Sequence, residues 1–186
     1  MSAAARVLST AGLPMIIGGG VGPVASVAFE SIVQANVQLD GTDQSHPRVF
    51  HCSCPDLIGD RTAYLLDTSH VNPGAAMGRV VYAQHLACRF LGMERAVAGV
   101  PCNTFHAPDI YAAYVAELEA LGSAASVQLV HIIDATVAEV CEQSKRGGWA
   151  NVGVMSTTGT RRQGLYRAPL EAAGLKVLEV PESMQV

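Results

Sequence analysis

The sequence predicts an α/β fold built on a parallel sheet. Short apolar runs bounded by Gly or Pro alternate with stretches of helical periodicity, the pattern of repeated strand–helix–strand units. The helical stretches reach ten or more residues, long enough to cross back over a sheet. Composition is the third observation. Of 186 residues, 49% are apolar and 15% charged, against a usual charged share of about 25%. A chain of this length buries roughly 70% of its unfolded surface, so it needs no disulfide staples.

Residues 15–18 read as the first strand, closed by glycine. Residues 19–23 turn, and Pro23 suits a first helical position. Val24, Val27, Ala28, Ile32 and Ala35 then share one helical face. Residues 48–54 read as a second strand, ended by Pro55 and Gly59. Asn72-Pro73 is a cap followed by a first-turn proline, and Ala76, Val80, Ala83, Ala87, Phe90 and Leu91 mark the inner face of the helix it opens. A third strand spans 96–100. Pro108-Asp109 opens a helix that stops at Leu121-Gly122. A fourth strand spans 127–133, followed by a helix over 134–145 closed by Gly147-Gly148. Residues 151–155 and 176–180 are two more strands. Between them Pro169 interrupts an expected helix over 161–173. An interior proline costs about 3 kcal/mol, so this helix either kinks or starts late.

Composition and charge exclude several function classes. A net charge of -4 and a pI near 5.8 argue against nucleic acid, which wants a basic face. Five cysteines, an odd number in a chain that is not small, fit a reducing, cytoplasmic compartment better than a disulfide framework. The charge-free run 7–29 holds five glycines and two prolines. It reads as strand, turn and helix start, not as a membrane span. Residues 1–14 have one Arg, no acid and several Ala and Ser; they form a short N-terminal extension with a faint organelle-targeting composition.

In a parallel sheet, ligands sit outside the carboxyl ends of the strands. The loops 19–23, 54–62, 101–106 and 156–160 are therefore where chemistry is expected. Gly18-Gly19-Gly20-Val21-Gly22-Pro23 fails the dinucleotide spacing, because Pro23 stands at the last glycine, and no Lys-Ser/Thr follows for a P-loop. It remains an anion-friendly turn at a helix start. His51-Cys52-Ser53-Cys54, with His46 nearby, places two thiols on one side of a strand. That is half a metal site with no second pair at zinc spacing, so these read as packed strand cysteines and no metal is expected. Pro101-Cys102-Asn103-Thr104-Phe105-His106 is the sharpest signal. A cysteine ends an apolar strand where a helix begins, and backbone N–H groups there favour the thiolate. His106, four residues on, is expected to add positive charge. Position alone leaves a buried, inert cysteine open as the other reading.

Four segments together resemble the cofactor-independent aspartate/glutamate racemases, closest to the aspartate branch. They are Ile17-Gly18-Gly19-Gly20-Val21-Gly22-Pro23, Asp60-Arg61-Thr62, the Pro101–His106 segment just quoted, and Ser156-Thr157-Thr158-Gly159-Thr160 with Gly164-Leu165-Tyr166 after it. They occur in the family's order and spacing across residues 15–181. The resemblance implies two similar Rossmann-like parallel-sheet lobes, 1–126 and 127–186, the second incomplete, with the active site between them. It implies a PLP-independent racemase that interconverts L- and D-aspartate, or glutamate, by thiol-based α-proton transfer and uses no cofactor. Cys102 matches a catalytic cysteine. Asn103 and Thr104 match residues that hold the substrate's carboxylate and amine, with Phe105 next to them. Arg61 matches a carboxylate anchor, with Asp60 beside it, and favours a dicarboxylic amino acid. Thr157, Thr158 and Thr160 match the second lobe's polar loop, and Gly22 belongs to the glycine turn.

The chemistry suits these residue types. An amino acid α-proton is weakly acidic, so its carbanion needs nearby donors and little water. A thiolate can be tuned as a base near neutral pH. Inverting the stereocentre takes two groups on opposite faces. The chain departs from the family pattern at Val21, usually Met, at Cys54, commonly Asn, and at Gly59, commonly Pro. The family's second cysteine, in a Gly-Cys-Thr-Glu segment, would fall beyond Val186. Cys141 sits mid-helix, and Cys54 ends a strand of the first lobe, so neither replaces it. Two further readings follow: a non-catalytic remnant that binds an acidic amino acid, and a one-cysteine, decarboxylase-like relative. The expected partner is a small acidic amino acid, with no membrane involved. Apolar surface left open on 151–155 and 176–180 by an incomplete lobe predicts self-association as a homodimer.

Overall fold

A computed structural model describes residues 12–37 and 40–184. The extension expected at 1–14 lies, for residues 1–11, outside the described residues. Strands β1 (Met15–Gly19), β2 (Val49–Ser53), β3 (Ala96–Gly99) and β4 (Val127–Val130) form one sheet in the order β2-β1-β3-β4. Strands β5 (Asn151–Val154) and β6 (Lys176–Glu179) pair as a second sheet. Every pairing is parallel. The helices are α1 (Pro23–Asn36), α2 (Arg61–Leu66), α3 (Pro73–Phe90), α4 (Pro108–Ala120), α5 (Ile132–Gly147), α6 (Thr158–Arg162) and α7 (Arg167–Ala172). The expected α/β architecture with a smaller second lobe is the one the chain forms. Its boundary moves, however. β4, assigned from sequence to residues beyond 126, hydrogen-bonds to β3 within the first sheet.

The strand order reverses between β1 and β3, and that reversal opens a crevice at their carboxyl ends. Both strands are short, apolar and buried; Ile16, Ile17, Ala96 and Ala98 are essentially inaccessible. Helix ends follow the sequence signals. Asn72 Oδ1 accepts the Gly74 N–H at 2.8 Å ahead of the first-turn Pro73. His131 caps α5, its ring Nδ1 accepting the Asp134 N–H at 3.3 Å. The predicted strand over 127–133 therefore ends at Val130, because residues 131–133 are the cap and first turn. The question raised by Pro169 resolves as a late start. The chain turns at Gly164, and α7 begins at Arg167 with Pro169 in its first turn, where no intrahelical N–H is required.

Two predicted helix faces are rotated from their expected orientation. α3 buries Gly74, Met77, Gly78, Val81, His85 and Cys88 together with the expected Val80, while Phe90 is 90% exposed and Ala83, Ala87 and Leu91 are also open. The cause is contact with α4. A Cβ on Gly74 would stand 2.1 Å from the Ile110 carbonyl oxygen, and one on Gly78 2.7 Å from Glu117 Cβ. Glycines let the helices touch here, and that contact turns α3. His85 is satisfied inside by Ser123 Oγ at 2.8 Å and the Glu94 carbonyl at 3.1 Å. On α1, the apolar stripe faces outward, with Val24 82% exposed and Val27 and Ile32 open. Its inner face is mixed, with half-buried Phe29 and Val33 beside polar groups. Ser26 is buried, and His51 of β2 reaches both Ser26 Oγ and Glu30 Oε2 at 2.9 Å.

The main core joins β1, β3 and β4 to α3 and α4 through Met77, Val81, Phe105, Ile110, Tyr114 and Leu118. A smaller core packs Leu170, Leu175 and Val177 against Val140, Cys141, Val152 and Val154. Each such side chain contributes roughly 1.5–3 kcal/mol on burial. The opposite face of the second sheet is open, as expected, with Met155 and Leu178 exposed. Among the described residues, no helix is long and apolar enough to cross a membrane.

Candidate active site

Three loops at strand carboxyl ends converge. One follows β3 and carries Cys102, Asn103 and Thr104. The second follows β5 and carries Ser156 to Thr160. The third follows β2 and leads through Asp60 into α2. Their meeting point is a ring of hydroxyls. Thr104 Oγ1 lies 2.8 Å from Thr160 Oγ1 and 3.3 Å from Thr157 Oγ1, and the latter two are 3.3 Å apart. Gly159 closes the junction. A Cβ there would come within 2.9 Å of both Thr104 Cγ2 and Thr62 Oγ1, so a larger residue would wedge the three loops apart. A second bridge joins the sheets where the Tyr166 hydroxyl donates to Asn103 Oδ1 at 2.8 Å. Burial raises the pKa of Tyr166, which keeps it a phenol able to donate.

Cys102 is half-buried and packs against the edge of the main core. Its carbonyl accepts a hydrogen bond from His106 Nδ1–H at 2.9 Å, and its own N–H donates to Val100 O at 2.8 Å. These two bonds fix the turn that presents the thiol. His106 does not act as the expected source of positive charge. It is buried, stacked on Tyr111 and edge-on to His131, and burial lowers its pKa to about 4. At neutral pH it is an uncharged donor that positions the loop. A cavity of about 480 Å³ opens beside it, lined by Tyr111, His131, Asp134 and Leu165 among others.

The remaining sequence-derived residues divide. Arg61 opens α2, with Nη1–H donating to the Gly59 carbonyl at 3.3 Å. Its Nε is buried with no hydrogen-bond partner, a cationic donor left for an acceptor. Asp60 is the N-cap of α2. Its Oδ1 accepts the Ala63 N–H at 3.0 Å, and that bond holds its carboxyl below the usual carboxylate range. Phe105 is fully buried, its ring edge-on to Tyr114; the side chain is core, and only its backbone belongs to the loop. Thr158 is the first residue of α6 and half-buried. Gly22 is an exposed, left-handed N-cap of α1. Sequence reasoning missed two residues here. Tyr166 lay within the quoted Gly-Leu-Tyr segment but was not named as a site residue. Thr62 lies in the quoted Asp60-Arg61-Thr62 segment without a role of its own.

The cluster can do three things chemically. A thiol at the edge of a crevice can take or give a proton. Hydroxyl and amide groups beside it can hold a small polar ligand. The guanidinium can pair with a carboxylate.

No family model matches the sequence. Among solved structures, the fold is similar to that of an aspartate racemase of Picrophilus torridus, with a TM-score of 0.67 at 21% identity, covering 92% of this chain and 63% of that one. It is also similar to an aspartate racemase homologue from Pyrococcus horikoshii OT3, with a TM-score of 0.55 at 19% identity, covering 93% of this chain and 66% of that one. At these identities the likeness establishes the fold. The chain spans slightly less than two thirds of the length of each of these structures.

Proposed function

We propose that this protein is a cofactor-independent amino-acid isomerase of the aspartate/glutamate racemase family, acting on an acidic amino acid through Cys102. The observation that carries this reading is the bonding of Thr104, two residues after Cys102, to the hydroxyls of Thr157 and Thr160 on the loop after β5, and an Arg61 Nε that has no partner adds to it. The likeness of fold to an aspartate racemase supports it and favours aspartate over glutamate.

The residues take the following roles. Arg61 anchors a substrate carboxylate. Asn103 and Thr104 hold the α-carboxylate and amine, with Thr157, Thr158 and Thr160 completing the polar wall. The Cys102 thiolate removes the α-proton, and the surrounding donors stabilise the charge that develops on the carboxylate. His106 acts through the loop, not on the substrate. The proton then returns from the same thiol to the same face. Inversion requires a second acid on the opposite face, and residues 1–186 contain no Gly-Cys-Thr-Glu segment. By themselves these residues therefore exchange the α-proton with retention.

Ligand protection of the thiol tests the substrate class. L- or D-aspartate should slow alkylation of Cys102 by iodoacetamide, whereas alanine should not. Equal labelling rates with and without aspartate would overturn the assignment of this cluster as an acidic amino acid site.

A further inference from the structure

β2 ends in a pair of sulfurs, at the start of the loop that leads to α2. Cys52 lies on the strand and Cys54 one residue beyond its end, and their Sγ atoms are 3.3 Å apart. Both side chains are half-buried at the margin of the main core. His51, whose side chain points to the opposite face, is occupied by Ser26 and Glu30, so it does not join the two thiols in a metal site. Alternate residues of a strand stand about 6.6 Å apart at Cα, within the roughly 4.4–6.8 Å that a disulfide spans. The parallel ladder with β1 ends at the pair Gly19 and Ser53. Cys54 is therefore outside the sheet ladder, and only a small shift brings the two touching sulfurs to bonding distance.

We propose that Cys52 and Cys54 form a dithiol modification site, closed to an intramolecular disulfide by a peroxide and reopened by a dithiol reductant. Cys54, at the strand end, is the attacking sulfur. Its thiolate takes the terminal oxygen of the peroxide: the S–O bond forms, the O–O bond breaks, and hydroxide leaves and is protonated to water. The Cys52 sulfur then attacks Cys54 Sγ. The S–S bond forms, the S–O bond breaks, and the departing oxygen takes the Cys52 proton and leaves as water. Two thiols are oxidised and one hydrogen peroxide is reduced to two waters. Burial and the neighbouring Cys54 both raise the Cys52 pKa, which suits it to the second, resolving step rather than to the first attack.

Closure has a mechanical consequence. Gly20, with φ +93°, lies directly on the backbone at this point, and a Cβ there would come within 2.8 Å of Pro55 N and 2.9 Å of the Cys54 backbone. A shift of Cys54 is thus passed to the turn between β1 and α1. Cleavage after arginine releases residues 49–61 as one peptide that contains both cysteines and no other. The full reduced chain is dosed with an equimolar amount of hydrogen peroxide, alkylated, digested without reductant and weighed by mass spectrometry. The expected result is this peptide unlabelled and lighter by two hydrogens, with double labelling restored by dithiothreitol. The Cys52→Ser variant should lose the linkage and accumulate a sulfenic acid on Cys54 that dimedone traps, while Cys102→Ser should keep the linkage. Full labelling of both cysteines at a dose that oxidises Cys102, or a linkage of either one to a cysteine elsewhere, would overturn the proposal.

Discussion

Replacing Thr160 with valine tests whether the hydroxyl ring joins the two sheets. The side chain is 2% exposed, and valine keeps its shape while removing the oxygen that stands 2.8 Å from Thr104. Thr104, itself buried, would keep only the longer 3.3 Å contact to Thr157. A lost neutral hydrogen bond with its partner half-satisfied is worth about 1 kcal/mol, rising towards about 3 kcal/mol if Thr104 is orphaned. For a chain of this size, 1 kcal/mol lowers the melting temperature by roughly 2–4 °C. Urea unfolding of Thr104→Val, Thr160→Val and the double variant completes a cycle. The double variant leaves no orphaned hydroxyl in the pair, so it should be about 1 kcal/mol more stable than the sum of the single losses predicts. Additivity within about 0.3–0.5 kcal/mol would refute the bond as a link between the sheets.

Three further outcomes are expected. Cys102 should be alkylated well before Cys88, which is fully buried and whose pKa burial raises; equal rates, measured by peptide mapping, would contradict the half-buried strand-end position of Cys102. Arg61→Ala should weaken aspartate binding by about 1.5–3 kcal/mol, the worth of a hydrogen bond to a charged group, as read by calorimetry; unchanged binding would remove Arg61 as the anchor. His106, with a folded pKa of about 4 against an unfolded value of 6.5, binds its proton less readily when folded. Its contribution is fully present above pH 6.5 and is lost as pH falls towards 4, on the order of 3 kcal/mol in all. Urea unfolding across that range should show this slope in the wild type and lose it in His106→Asn, which keeps a donor for the Cys102 carbonyl.

The strands and loops were legible because punctuation marks them. Pro55, Asn72-Pro73, Pro108 and Gly148 stop or start elements by local backbone chemistry, and all act where the sequence placed them. Helix orientation was not legible. Counting apolar residues on α3 treats Gly74, Gly78 and His85 as outer positions, yet two glycines at a helix contact and a histidine with two internal partners are what α3 buries. On α1 the same count fails because the inner partner is polar: His51 draws Ser26 and Glu30 inward. The site was legible as separate motifs. The bonds that join them, Thr104 to Thr160 and Asn103 to Tyr166, link residues more than fifty positions apart and depend on how two sheets meet.

Proton exchange at the substrate's α-carbon tests the central claim, that Cys102 is a one-sided base, most directly. L- and D-aspartate are incubated separately with the protein in heavy water; proton NMR follows the α-signal and chiral chromatography follows configuration. One enantiomer should lose its α-proton signal while its configuration is retained. Because a positioned general base contributes roughly 10²–10⁴-fold, Cys102→Ala should slow the exchange by at least a hundredfold. Exchange of neither enantiomer, exchange that survives in Cys102→Ala, or prompt inversion by residues 1–186 would contradict it.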